Sequence, residues 1–200
     1  MMHPDTELRF INEEMGYGVV AKKFIPKGTI TWVQDELDQA LSPDQVKKMH
    51  PGTRELVDKF SFRNHKGEFV LCWDLAKYVN HSFKSNCLSS AYDFELAVRD
   101  IHAGEQLTDD YGYLNIPEPF KAHDEGTGRD TVYPDDLLKY HGEWDRQLAE
   151  AFKVFDNVEQ PLEKFVKMSL LKSIRERLKN NLPQESILSL YYREKIDLGR

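Results

Sequence analysis

The sequence predicts a mainly β fold with a helical C-terminal region. Short apolar stretches bounded by Gly, Pro, Asn and Asp recur from Leu8 to Tyr113, too closely punctuated for long helices. Past Pro117 and Pro119 and a polar segment containing Gly126 and Gly128, apolar residues recur instead with a helical period. With 200 residues, 40% of them hydrophobic and 12% aromatic, the chain can bury one sizeable core but not two large ones.

Leu8 to Ile11 and Gly18 to Ala21 are expected as strands around the Glu13-Glu14-Met15-Gly16 turn, and Pro26-Lys27-Gly28 introduces a third strand from Thr29 to Val33. Ser42-Pro43-Asp44-Gln45 offers an N-cap, a proline at the first helical position and a glutamine that closes a capping box, so a short helix runs toward Met49, where Pro51-Gly52 should end it. Asn64-His65-Lys66-Gly67 is the turn of a hairpin between Phe60 and Trp73. Ala91 to Val98 alternates as a half-buried strand does, and the His102-Ala103-Gly104-Glu105 turn leads into a strand at Leu107. A boundary is expected near residue 133. Beyond it Leu162, Phe165, Val166, Ser169, Leu170, Ile174 and Leu178 form one helical stripe, and Ser186 to Tyr192 is apolar enough to dock on the domain or on a second subunit.

Charge and cysteine content narrow the function. With 34 acidic against 27 basic residues the formal charge is -7, which disfavours direct nucleic-acid binding and favours encounter with basic peptides. Cys72 and Cys87 are too few for a disulfide framework or a cysteine zinc site, and the seven histidines lack ligand-like spacing, so no metal is expected. The start lacks a secretory signal and no stretch is apolar enough to span a bilayer, which points to a soluble, intracellular protein in a reducing compartment, cytoplasmic or nuclear.

Two segments crowd chemistry-bearing side chains between strands: Lys77 to Cys87, containing Tyr78, Asn80 and His81, and Gly104 to Tyr113, containing Tyr111. Gly16-Tyr17-Gly18-Val19-Val20-Ala21 formally matches the dinucleotide fingerprint G-x-G-x-x-A, but the Val19-Val20 pair favours extended structure and Pro26-Lys27-Gly28 leaves no room for the required helix. The glycines otherwise serve a turn, or let a ligand approach the backbone. Asn80 and His81 taken alone suit loop capping as well as function. Cys87, flanked by apolar residues, is expected to be inert. Asp109 and Asp110 would point to opposite faces of a strand and not act jointly. Tyr111 and Tyr113, two apart, would share one face if the strand runs through Gly112, unless they are simply core aromatics.

Together, Met15 to Ala21, Tyr78 to Cys87 and Gly104 to Tyr113 resemble, in order, three motifs of the SET-domain protein lysine methyltransferases, a likeness that covers about residues 8 to 115. The resemblance implies a SET-like β-clip fold of small curved sheets with a knot-like core, followed by C-terminal helices. It implies a catalytic domain over 1–115, a post-SET-like segment without its zinc-binding cysteines over 116–132, and a helical region over 133–200 packing on the domain. The implied cofactor is S-adenosylmethionine, held by Gly16, Tyr17, Gly18, Asn80 and His81. Tyr111 is implied as catalytic and Tyr78 and Tyr113 as lining the lysine channel. Glu105, also in a motif, is read as structural. In place of zinc, Phe120 and the C-terminal helices are expected to cover the cofactor. Where the family usually has cysteine and proline, this sequence has Phe83-Lys84-Ser85, which alters the loop.

The expected activity is methyl transfer to a lysine-bearing, basic protein, with a homodimer through the C-terminal helices as a further expectation. Only about one lysine in 2,500 is neutral at pH 7, so an aromatic channel and the nearby sulfonium must favour the free amine. The proton is expected to leave to water, with no dedicated carboxylate base. The alternatives are a non-catalytic module that binds basic peptides, and a methyltransferase acting on a small-molecule amine.

Overall fold

The computed structural model describes residues 1–193. Strands β1 (Thr6–Asn12) and β2 (Gly16–Ala21) form the expected antiparallel hairpin, closed at Gly16 by a φ of 74° that suits glycine. On its other edge β2 meets the Glu105 to Leu107 segment, with Ala21 N–H bonded to Glu105 O and Leu107 N–H to Val19 O. The glycine motif is therefore a strand, as the valine pair requires.

Strand β3 (Ile30–Val33) leads to β4 (Gln39–Leu41) and then α1 (Pro43–Lys47), where Ser42 and Gln45 form both halves of the capping box. Helix α1 ends before Pro51 as expected, but Pro51 has a second role. It opens a second helix, α2 (Pro51–Phe60), because proline at the first helical position lacks only an N–H that would be unpaired anyway, and His50 Nδ1 accepts from Gly52 N–H. The hairpin follows as β5 (Ser61–Arg63) and β6 (Phe69–Leu71), with β4 on its far side.

Strand β7 (Asn80–His81) is short, and β8 (Cys87–Ser89) and β9 (Phe94–Ala97) complete a sheet in the order β3-β9-β8. The strand expected from Ala91 starts only at Phe94, since Asp93 turns the chain at φ 57°. Strand β10 (Thr108–Asp109) pairs parallel with β7, placing Thr108 opposite Asn80 and Asp109 opposite His81. A tight 3₁₀ turn over Tyr111–Tyr113 follows at once, started by Asp110, whose carboxylate accepts from Gly112 N–H. The strand does not run through Gly112.

A small hairpin, β11 (Phe120–Lys121) with β12 (Thr131–Val132), joins this part to α3 (Asp136–Phe152) and α4 (Met168–Lys179). The single stripe expected from Leu162 to Leu178 is broken: Glu163–Phe165 is a 3₁₀ turn and α4 starts only at Met168. Leu162, Val166, Leu171 and Ile174 are buried while Phe165 is exposed, because the stripe changes phase at the break. Ser186 to Tyr192 docks on the same chain, with Ile187 fully buried and Asp145 of α3 accepting from Ser186 Oγ and Ile187 N–H. The last seven residues of the expected helical region, 194–200, lie outside the described residues.

The central sheet divides two cores. Leu88, Phe94 and Leu96 pack with Trp144, Phe152 and Phe155 beneath the helices. Trp32, Cys87 and Ala97 pack on the opposite side with Val19, Val79 and Leu107. Alternation along β9 therefore directs Glu95 to the second side, among the residues that carry the motifs.

Candidate active site

The parallel pairing of β7 with β10 brings the second and third motifs together. Asn86 fastens them further, its side chain donating to Gln106 O and accepting from Thr108 N–H. Asn80 in turn donates to Tyr17 O at 3.2 Å and to Gln106 Oε1 at 3.0 Å. The first motif is drawn in so tightly that a Cβ on Gly18 would lie 2.8 Å from Asn80 Nδ2 and 2.5 Å from Gln106 Oε1. At Gly18 the missing side chain makes room for the protein's own amides, whereas Gly16 faces open space and Tyr17 is exposed.

His81 sits at the crossing. Tyr111 N–H donates to its Nδ1 at 3.2 Å, which places the ring proton of the neutral form on Nε2, a buried atom with no partner. Burial lowers the His81 pKa, Asp110 opposing, so the neutral tautomer is favoured. Phe83, Tyr111 and Phe120 surround the ring at centroid distances of 4.4, 5.3 and 5.8 Å. The Tyr111 hydroxyl donates to Val79 O at 2.8 Å, and burial, reinforced by Asp109, raises its pKa so that it stays protonated.

The 116–132 segment is tied to this cluster by polar contacts. Glu125 accepts from Ser82 Oγ at 2.8 Å and from Lys84 N–H, while Arg129 bridges the buried Asp110 and Asp136. The Arg129 guanidinium also stacks between Phe83 and Tyr140, 4.4 and 4.2 Å from their centroids. Phe120 is half exposed and closes over His81 and Tyr111.

Behind Tyr111 lies a cavity of about 380 Å³ walled by Trp32, Phe60, Phe62, Phe69, Tyr111 and Phe120, with Glu95 and Asp109 also in its lining. A larger groove of about 900 Å³ runs along α4, open to solvent and remote from every motif residue.

Tyr17 and Gly18 are brought to Asn80, and His81, Tyr111 and Phe120 form a ring cluster at the neighbouring residue of the same strand, while Gly16 contacts none of these rings. Tyr78 and Tyr113 are not in the cavity wall. Tyr78 stacks edge-on against Phe60, leaving Lys77 and Val79 in the lining, and Tyr113 is 1% exposed against Trp144. The expectation that Tyr111 and Tyr113 share one wall fails because the 3₁₀ turn buries Tyr113 in the core beneath the helices and leaves Tyr111 on the cavity. Phenylalanines of β5, β6 and α2 wall the cavity instead.

Asp109 and Asp110 diverge as expected, but Asp109 finds another carboxylate, Glu95, within hydrogen-bonding reach. Burial, with partial relief from Ser89, pushes Glu95 up to about 7, and burial together with Glu95 raises Asp109 well above the usual range. The available signal was Glu95 itself, a carboxylate inside the apolar run Phe94 to Ala97. Cys72 and Cys87 are buried and their thiols are pushed up by burial, which keeps them protonated.

Residues 16–112 match the family model of the SET domain. No curated protein matches the chain. Among solved structures, a candidate histone methyltransferase of Plasmodium falciparum is similar at 17% identity and a TM-score of 0.42, over 55% of this chain and 95% of that one. That likeness is too distant to add to the family match. The matched span runs from Gly16 of the first motif, through the second, to Gly112 of the third, and over that span the chain is similar to the SET domain.

Proposed function

We propose that the protein is an S-adenosylmethionine-dependent protein-lysine N-methyltransferase. The observation that carries this reading is the position of Tyr111, which contacts His81 on one side and, with Phe120, walls an aromatic cavity on the other. A methyl donor at the first and a slender amine-bearing chain in the second would meet beside one phenol.

The residues present fit the donor. His81 Nε2 is an orphaned buried donor, Gly16 leaves open backbone, and His81 and Phe120 offer apolar ring faces to a purine. Gly16, Tyr17, Gly18, Asn80 and His81 would hold it and Phe120 would cover it, with Asn80 acting through the Tyr17 carbonyl that it fixes. When bound, S-adenosylmethionine supplies an electrophilic methyl group on a sulfonium. Tyr111, anchored by Val79, orients the acceptor amine, and the phenylalanine walls exclude water so that the neutral amine is favoured.

On this reading residues 1–115 are the catalytic domain, 116–132 the cover and 133–200 its support. The acidic charge favours basic protein substrates. The test is incubation of the pure protein with isotope-labelled donor and two panels, lysine-rich proteins and small amines. Label on protein lysines supports the proposal; label on small amines alone replaces it with a small-molecule methyltransferase. Failure to bind the donor leaves a peptide-binding module.

A further inference from the structure

We propose that Glu95 and Asp109 together bind the amine that enters the aromatic cavity and take its proton. This deepens the reading above and rests on its choice of an amine as acceptor.

Both carboxylates line the cavity behind Tyr111. They come from separate strands, Glu95 from β9 and Asp109 from β10, and are 8% and 5% exposed. Among the described residues neither forms a salt bridge. Arg63, Lys59 and Lys77, the cations of the cavity wall, lie instead over the rings of Phe69, Phe60 and Tyr78. Among the described residues Ser89 Oγ donates to Glu95 at 3.2 Å, whereas the buried Asp109 Oδ1 accepts no hydrogen bond, with Glu95 and the likewise unpartnered Tyr113 hydroxyl beside that carboxylate. The indole N–H of Trp32, in the same wall and 4% exposed, is also unpartnered. Two polar side chains that are nine-tenths buried and unsatisfied in one cavity wall mark a place built for a polar ligand.

The charge of the pair defines that ligand. Two carboxylates this close do not both ionise in a buried site, so at pH 8, above the Glu95 value of about 7, they share one proton and carry a net charge of -1. The groups facing them are Cys72, Cys87, Tyr111 and Tyr113, all kept neutral by burial, with Asp74, Asp110 and the amino terminus further away. A primary ammonium fits in charge and in its row of donors; an anion or an apolar group does not.

The same pair can then act as a base. An ammonium N–H bond breaks, an O–H bond forms on the vacant carboxylate, and the electron pair stays on nitrogen. The pair now carries two protons and no charge, and the amine has the lone pair that a methyl acceptor needs. The second proton returns to solvent after the product leaves. This replaces the expected exit of the proton directly to water.

The probe is n-butylamine, titrated without methyl donor into the full chain at pH 8. Infrared difference spectra should gain one protonated-carboxyl band per amine bound, and calorimetry in two buffers of different ionisation heat should show no net proton released. Glu95→Gln and Asp109→Asn, which conserve volume, should each weaken n-butylamine binding at least tenfold and lower turnover about a hundredfold, with melting curves reporting on folding. Absence of binding at millimolar n-butylamine, no gain in the carboxyl band, or about one proton released to buffer would overturn the proposal, and these wild-type measurements decide it even if a variant fails to fold. Lysine methylation without the infrared change sinks the paired base alone. The infrared change without any methyl transfer sinks the methyltransferase reading alone.

Discussion

Gly18 lies flat against Asn80, close enough that a single added carbon would stand 2.8 Å from the amide nitrogen. Contacts that short are not made by real side chains, so Gly18→Ala must displace Asn80 and Gln106 and break the bonds that fix the Tyr17 carbonyl. We expect the variant to fold, because the atoms that must move are the ends of side chains, and to bind S-adenosylmethionine about tenfold more weakly, roughly 1.4 kcal/mol. Titration calorimetry beside a melting curve checks both halves.

Tyr111→Phe removes the hydroxyl held by Val79 and keeps the ring that faces His81 and Phe120. Turnover should fall about a hundredfold, as it does when one aligned polar group is lost from an active site, with donor affinity unchanged. Unchanged turnover would remove Tyr111 from the mechanism.

His81→Ala deletes the orphaned Nε2 donor and the ring beneath Phe120. Donor affinity should drop by at least tenfold. A wild-type dissociation constant would refute the assignment of His81 to the donor.

Arg129→Met leaves Asp110 and Asp136 as buried carboxylates without a cation. Breaking one side of a buried ion pair costs about 3 to 5 kcal/mol, far more than the rim pairs of Arg9 with Glu7 or Lys139 with Asp135 contribute. Urea titration should show the loss, and Arg129→Lys should recover only part of it because an ammonium cannot reach both carboxylates as a fork does.

Glu95 imposes a pH dependence on stability. Its folded pKa of about 7 lies above the ordinary 4.5, so between these values the folded chain holds more protons than the unfolded one. The stabilising proton is fully present below about pH 4.5 and lost as pH rises through 7. The melting temperature of Glu95→Gln relative to wild type should therefore increase from pH 5 to pH 8, and a difference that stays constant or shrinks contradicts the burial of an ionising carboxylate.

Much of this was legible because the decisive signals are local. The capping box at Ser42, the Asn64 to Gly67 turn and the Val19-Val20 pair each fix backbone by contacts within a few residues, and each formed as expected. The contact of His81 with Phe83 and Tyr111 was legible for another reason: these residues fall in two short motifs, whereas Phe120 lies outside them. The cavity wall was not, because Phe60 ends α2, Phe62 and Phe69 come from a hairpin with no motif, and tertiary packing brings all three to Tyr111. Helix α2 was not, because a proline that follows the end of one helix is equally suited to begin the next. The pairing of Glu95 with Asp109 was invisible since it joins strands in different sheets, and sequence periodicity reports only a face, not what stands opposite.

The parallel alignment of Asn80-His81 with Thr108-Asp109 has a consequence for how the molecule is made. Parallel neighbours cannot be joined by a tight turn, so everything between them must travel out and return before the two short strands can meet. Loop closure is spent first and rewarded last, which makes this one of the slow contacts of folding. Competence and completion then arrive in one step: a chain stalled short of that meeting has most of its secondary structure and none of its catalytic geometry.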